Sequence, residues 1–537
     1  MSIRPPVGAE PPRTLRHRRS RRALLATSAA LVLATGALPL VATAARAPAA
    51  AQPAANQPAA PPAVTAAPAT PATPARDVVV NLFEWNWRSV ARECTTTLGP
   101  ARYGAVQVAP PQDSVSRTET TAPTPLHPWW EVYQPVSYAL TSRMGDEAQF
   151  RSMVATCRTA GVDVIADVVV NHMTGQGNRS YGGRSFTKYS YAGLYGYSDF
   201  HHAPGDCPTA DGSIQDFNDI RQVTNCELVG LSDLRTGSPT VQAKLAGYLN
   251  KLIGYGVAGF RVDAAKHVPE ADLRAIGARL HRTVDGRVPY VALEVPPGSP
   301  GVLSPRAYTD IASVLGFDFA TDVKNAFKSY PADATGNITS LRQLDESTGL
   351  LPSNRSLTFV ENHDTERNGS TLSYKDGATN TLATLFLLAQ PYGRPQVYSS
   401  FTFANPDDSP PADSGGYITD AVCGPAWTCL HRTVAPMVAW HNRMGNAPKA
   451  NWYDDGVNLV AFSRGTTGWV ALNNHATAQT RTIRTGMAPG TYCDVLRGRR
   501  SGTTCTGPRV VVDAAGRVTG TIPGKAAVAI DTADRIG

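Results

Sequence analysis

The stretch GFRVDAAKH, residues 259–267, decides the fold. Phe260, Val262 and Ala264 alternate with Arg261 and Asp263, the two-residue period of a β-strand. The glycine at its head suits a strand that packs closely on its neighbour. Alternation puts Arg261 and Asp263 on one face, where a guanidinium favours the ionised carboxylate. An ionised carboxylate at a strand end is a candidate nucleophile. Taken alone, R-x-D on a half-buried strand is more often a surface ion pair, and it is the rest of the chain that selects the other reading.

Seven further runs share the apolar character of this strand: residues 78–85 (VVVNLFEW), 103–109 (YGAVQVA), 162–171 (VDVIADVVVN), 290–295 (YVALEV), 314–319, 357–362 (LTFVEN) and 395–399. Nearly continuous apolar runs rich in valine are what parallel strands covered on both faces require. Helices are predicted between them at 147–160, 239–255, 271–284 and 379–388. Strands alternating with helices in this number predict an α/β chain folded as a (β/α)8 TIM barrel, and no glycine-rich phosphate loop follows the first strand to favour a doubly wound sheet. The barrel is expected to span 77–445. Within it, 172–238 is long, irregular and rich in Gly, Tyr, Ser and Asp, which predicts an inserted loop-rich subdomain after the third strand. From 446 to 537 the runs LVAFSRG, GWVALNN, RVVVDAAG and AAVAI, separated by glycine turns, predict a C-terminal antiparallel β domain.

The N-terminal end is of another kind. Arg16, Arg18, Arg19, Arg21 and Arg22 precede the apolar run 23–42, which ends in small residues; residues 1–46 read as a secretory signal peptide. Gly36 and Pro39 break that run, which disfavours a membrane anchor. Residues 47–76, almost all Ala, Pro, Thr and Gln, read as a linker that buries no core. The leader carries eight arginines against Glu10 alone, so it holds all of the formal +7 of the chain. The mature part is near neutral, with no basic footprint for nucleic acid. Eight cysteines in an exported chain predict disulfides, although the sequence alone leaves their pairing open.

Four strand ends carry chemistry in a fixed order: VVVNHM (168–173), GFRVDAAKH, YVALEV and FVENHD (359–364). This set resembles the signatures of the α-amylase family of retaining glycoside hydrolases, closest to its animal and actinomycete type through ENHDTERNGS (361–370) and the paired Trp129 and Trp130. The resemblance covers nearly all of the chain from residue 77 onward. It implies a secreted, extracellular enzyme, expected to be a monomer and with no membrane contact in its mature form. Its partners would be starch and maltooligosaccharides, whose internal α-1,4-glucosidic bonds it would hydrolyse with retention.

Retaining hydrolysis needs one carboxylate as nucleophile and one protonated carboxyl as acid and then base. By resemblance Asp263 is the nucleophile, Glu294 the acid/base and Asp364 the third carboxylate, which binds sugar hydroxyls. The residues point the same way: Arg261 would keep Asp263 charged, while Ala292, Leu293, Val295 and Pro296 around Glu294 would raise its pKa. Trp129, Trp130 and Tyr133 offer flat faces to sugar rings in a proline-rich loop, with Gln134 beside them for hydroxyls. His172, His363, Arg261, Lys266 and His267 match residues of the family's sugar site.

The resemblance further implies one calcium ion held by Asn171, Asp233 and the backbone oxygens of Thr224 and His267, an oxygen-only set suited to a hard cation. It also implies disulfides 94–157, 207–226, 423–429 and 493–505. Animal-type members bind chloride through two arginines and an asparagine; Arg261 and Asn362 match two of these, but Gln396 stands at the third, so chloride is not expected to be required. Glu361 stands where aspartate is usual, and Pro296-Pro297 follows Glu294. Two rivals remain: a transglycosylase of the same superfamily, and a secreted glycan-binding protein without activity. The first shares the acid triad, and the second is disfavoured because no carboxylate of that triad is missing.

Overall fold

The computed structural model describes residues 76–117, 124–328 and 336–536, which lie in one compact unit. The predicted signal peptide, and the linker except for Arg76, fall outside the described residues. Among those described, no helix is long and apolar enough to cross a membrane.

Eight parallel strands close into a barrel: β1 (Val79–Leu82), β2 (Ala105–Val108), β3 (Asp163–Val169), β4 (Gly259–Asp263), β5 (Tyr290–Leu293), β6 (Ser313–Gly316), β7 (Ser356–Phe359) and β8 (Arg394–Ser399). Neighbours in sequence are neighbours in the sheet, and β8 returns to β1. The interior is layered. Val79, Ala105, Ile165, Ala292, Leu315, Leu357 and Phe359 form an apolar plug, while Asn81, Gln107, Asp167 and Arg261 stand one step further along their strands. The outward residues, such as Val80, Val106, Val164 and Phe260, pack under the helical shell.

Shell helices begin where the sequence caps them. Glu147–Thr159 opens with a capping box, the Asp146 carboxylate accepting the Gln149 N–H at 2.8 Å and the Gln149 side chain accepting the Asp146 N–H at 3.1 Å. It buries Phe150, Met153, Val154 and Cys157 on one face. Pro239–Gly254 starts on a proline at its first turn, where the missing N–H costs nothing.

Two expected elements are corrected. The run 314–319 is not a single strand: β6 stops at Gly316, and Phe317–Phe327 is a helix burying Phe319, Ala320, Val323 and Phe327 at helical spacing. The helix expected at 271–284 ends at Gly277. Beyond it the Thr283 hydroxyl and backbone close a turn onto Arg287, which competes with helix.

The 172–238 excursion leaves and rejoins the barrel at one point, since the Met173 N–H donates to Ser232 and the Leu234 N–H to Asn171, both at 2.9 Å. All four disulfides pair as the resemblance implies: Cys94–Cys157, Cys207–Cys226, Cys423–Cys429 and Cys493–Cys505. After the helix Ala435–Met444 come antiparallel sheets of four and five strands, with Leu459, Trp469, Tyr492 and Ile530 in their shared core. Buried Arg464 locks this domain to the barrel, donating to the carbonyls of Ala389 at 3.0 Å and of Ala447 and Gly445 at 2.6 Å.

Gly259 tests the closeness of the strands. A Cβ there would lie 2.5 Å from the Tyr290 carbonyl oxygen, a backbone atom that cannot swing away. Gly259→Ala should therefore destabilise the fold by about 1–3 kcal/mol through overpacking. A calorimetric midpoint equal to that of the parent would show that β4 and β5 can part without cost.

Candidate active site

Arg261 and Asp263 leave β4 on its inner face, and strand register brings further carboxyl groups to them. Asp167 of β3 lies opposite Arg261. The Arg261 Nη1 donates to both Asp167 oxygens, at 2.9 and 3.1 Å, and to Asp263 Oδ1 at 2.8 Å. Its Nη2 lies 2.7 Å from Glu294 Oε1, an ion contact that lacks the angle of a hydrogen bond. Asp263 and Glu294 each stand one residue past the paired Val262 and Leu293, so they project side by side from adjacent strand ends.

The electrostatics differ from those expected. Burial, with Glu294 and Asp167 adding to it, pushes the Asp263 carboxyl well above its usual range against the pull of Arg261. Burial also pushes Asp167 up to about 6. Asp364 rises for the same reason, while Arg261 and Arg367 oppose the shift. Several buried carboxyl groups thus crowd one guanidinium, and they titrate as a coupled set. Arg261 pulls Asp263 toward the ionised form that a nucleophile needs, while burial and the neighbouring Glu294 and Asp167 pull the other way.

Apolar surroundings for Glu294 are corrected too. Its Oε2 accepts the Ala264 N–H at 2.8 Å, and Ala264 reaches that position through a left-handed φ of 48°. Adjacent strand residues face opposite ways. Leu293 and Val295 therefore belong to the core outside the barrel and not to the carboxylate's environment.

Above the carboxyl groups lies an aromatic stack. The His363 ring is sandwiched between Phe83 at 4.7 Å and Tyr133 at 5.1 Å, both nearly parallel to it, and its Nε2 lies 3.4 Å from Asp364 Oδ2. Burial holds the imidazole well below its ordinary pKa, hence neutral. The Tyr133 hydroxyl donates to Asp167 at 2.9 Å. Trp129 meets Tyr133 and His363 edge-on.

The Trp130 indole N–H donates to Asp407 at 3.3 Å, with the Arg117 guanidinium 5.1 Å from its ring centre. Gln134 accepts the Gly175 N–H at 3.1 Å. A cleft of about 500 Å³ runs between Trp130, Tyr133 and Gln134 on one side and Gly175, Val229 and Leu231 on the other. A larger cavity, about 860 Å³, lies on the barrel flank against the outward-facing Phe260, Val262 and Leu293, away from the carboxyl groups.

The remaining expected residues line the same end of the barrel. Lys266 donates to Ser299 Oγ at 3.1 Å, and the His267 ring is held by the Val223 carbonyl at 2.9 Å. Both ring nitrogens of His172 are engaged by the protein: Nε2 donates to the Tyr133 carbonyl at 3.0 Å, and Nδ1 lies 3.3 Å from Asn171 Nδ2. His172 thus fixes the Tyr133 backbone.

For a cation, Asp233 is fully buried; its Oδ2 meets His201 Nδ1 at 2.7 Å and its Oδ1 has no partner. Among the described residues no three His, Cys, Asp or Glu gather as a metal site. The expected set contains one carboxylate beside amide and carbonyl oxygens, and a buried carboxylate oxygen left free fits a hard cation.

Sequence reasoning missed Asp167, Phe83 and Arg367. The signal for Asp167 was present, as an acid inside the apolar run VDVIADVVVN that falls on the same face as Arg261.

Comparisons with known proteins point to one family. The family described as "Alpha amylase, catalytic domain" matches residues 133–286, and "Alpha amylase, C-terminal all-beta domain" matches 450–533. An alpha-amylase of Thermomonospora curvata is 44% identical over 465 residues, covering 85% of this chain and 73% of that protein. The pancreatic alpha-amylase of Sus scrofa is 37% identical over 472 residues, covering 82% and 91%. Alpha-amylase I of Eisenia fetida, whose solved structures include a mutant in complex with maltohexaose, superposes with a TM-score of 0.80 at 36% identity, covering 85% of this chain and 97% of that one.

Arg261→Met tests the cluster. Removing the guanidinium should cost on the order of 3 kcal/mol near neutral pH. A carboxyl whose folded pKa lies above its unfolded value adds stability below the unfolded pKa and loses it as pH rises through the folded one. The variant's deficit should therefore shrink as pH falls from about 7 to about 5. Unfolding midpoints across that range check this, and a deficit that does not change with pH would refute it.

Proposed function

This chain belongs to the α-amylase family of glycoside hydrolases, and from that premise we propose that it cleaves internal α-1,4-glucosidic bonds of starch and glycogen with retention of configuration. The observation that carries the reading is the placement of Asp263 and Glu294 on one guanidinium at adjacent strand ends. Such strands lie about 4.8 Å apart, near the roughly 5 Å that separates a retaining pair.

Asp263 attacks the anomeric carbon while Glu294 gives its proton to the departing glycosidic oxygen, leaving a glycosyl ester on Asp263. Glu294 then takes a proton from the water that attacks this ester, and Asp263 is released. For the first step Asp263 acts as the carboxylate, held by Arg261, and Glu294 as the protonated acid. Asp364 and neutral His363 bind hydroxyls of the reacting sugar. Trp129, Trp130 and Tyr133 present ring faces on one side, with Gln134 and the cleft beside them. Lys266 and His267 lie toward the leaving side. His172 acts by holding Tyr133 in place.

One calcium ion fits Asn171, Asp233 and the carbonyls of Thr224 and His267, with Asp233 Oδ1 as its free carboxylate oxygen. When bound it would supply a charge that ties the 172–238 insertion to the barrel. Gln396, at the position of a second arginine, donates to Gln107 at 2.7 Å, and on that basis we propose activity without chloride. The division at 77–445 and 446–537 is supported by a shell helix ending at Met444 and a first sheet strand starting at Lys449. Four disulfides support secretion behind the leader 1–46, and we propose a monomer.

On soluble starch the mature protein should release reducing ends as short maltooligosaccharides, and Asp263→Asn and Glu294→Gln should each lose several orders of magnitude in kcat. Starch rearranged with no net gain of reducing ends would instead favour transfer, the reading its shared carboxyl triad leaves as runner-up. Chelation should lower both the unfolding midpoint and activity, with recovery on adding calcium, whereas adding chloride to a chloride-free preparation should leave kcat within about twofold. No response to the chelator, or a chloride-dependent rate, would overturn those assignments.

A further inference from the structure

Arg367 belongs to none of the roles above, yet residues from three loops at the barrel mouth converge on it. Its side chain, carried on the short helix Thr365–Asn368, is 5% exposed. The guanidinium lies among four aromatic rings, 4.7 to 5.3 Å from the centres of Phe403, Trp129, Phe401 and Phe83. Its Nη1 donates to the His363 carbonyl at 2.6 Å, fixing the backbone one residue before Asp364. Its Nε donates to the Pro406 carbonyl at 3.1 Å, the same oxygen that receives the Trp129 indole N–H at 2.9 Å. One planar group thus ties the end of β7, which carries Asp364, to the loop after β8 and through it to Trp129.

We propose that Arg367 is a positioning residue that fixes the distance between the Trp129 sugar platform and the Asp364 carboxyl, so that an α-glucan chain engages both at once. The inference rests on the α-glucan reading of this site. Trp129 and Asp364 both stand on loops, whose conformation is otherwise weakly constrained. A lysine could keep the charge among the rings but lacks the flat fork that serves two carbonyls in different directions. A shift of about 1 Å at either end is enough to lower turnover a hundredfold.

The test begins with the parent on soluble starch: no reducing ends there defeats the α-glucan reading itself, whereas an active parent isolates the present inference. Arg367→Lys should then lower kcat/KM at least tenfold, in kcat as well as KM, and combined with Trp129→Phe it should cost little beyond the worse single change, because both act on one geometry. Phe403→Leu keeps every hydrogen bond and opens one wall of the ring box; it should give a smaller loss, again less than multiplicative with Trp129→Phe. A kcat/KM within twofold of the parent in Arg367→Lys overturns the proposal, as do losses that multiply with Trp129→Phe in both backgrounds. Should Arg367→Lys not fold, the Phe403→Leu cycle decides alone: coupling sustains the proposal and strict multiplication ends it.

Discussion

One guanidinium sets the terms for the barrel interior. Arg261 is almost wholly buried and meets Asp167, Asp263 and Glu294 at once. An array of this kind is expensive in a desolvated core, and it persists only where surrounding groups hold the partners in place. The apolar plug below it supplies that hold, with Ile165, Ala292 and Leu315 buried together in the next layer of the barrel. Stability and chemistry thus occupy successive layers of the same strands. A site whose carboxyl groups share one cation must share protons as well, so the protonation of any one of them is a property of the group.

Much of this was legible in the sequence because barrel strands are covered on both faces. Runs such as VVVNLFEW and VDVIADVVVN announce themselves through unbroken apolar character. The same property misleads at Leu315-Gly316-Phe317, where an apolar run crosses from β6 into a helix without changing composition. The gathering of Asp263, Glu294 and Asp364 around Arg261 was readable from motif order. What could not be read was their environment. Chain neighbours of Glu294 are apolar, but alternation sends them to the opposite face, and its actual neighbours come from β4. Arg367 was hidden for a related reason: its ring box joins Phe83, Trp129 and Phe401, residues that no local pattern connects.

The loops above the barrel follow a consistent logic of fixing backbone through side chains. His172 holds the Tyr133 carbonyl, Tyr133 holds Asp167, and the rings of Phe83 and Tyr133 confine His363 between them. Tyr133 and His363 are thereby each held by neighbouring side chains. Preorganisation of this sort places the ordering cost in folding, before any ligand arrives.

The Arg464 joint has a consequence for how such chains can change over generations. It gives its donors to main-chain oxygens on the barrel side at Ala389 and at the junction at Gly445 and Ala447, so no single side chain marks the fit. A C-terminal sheet borrowed from a relative would have to bring a matching cation to the same three carbonyls, or leave them dry and unpaired. The fit between the two domains is therefore written in one cation and three main-chain oxygens.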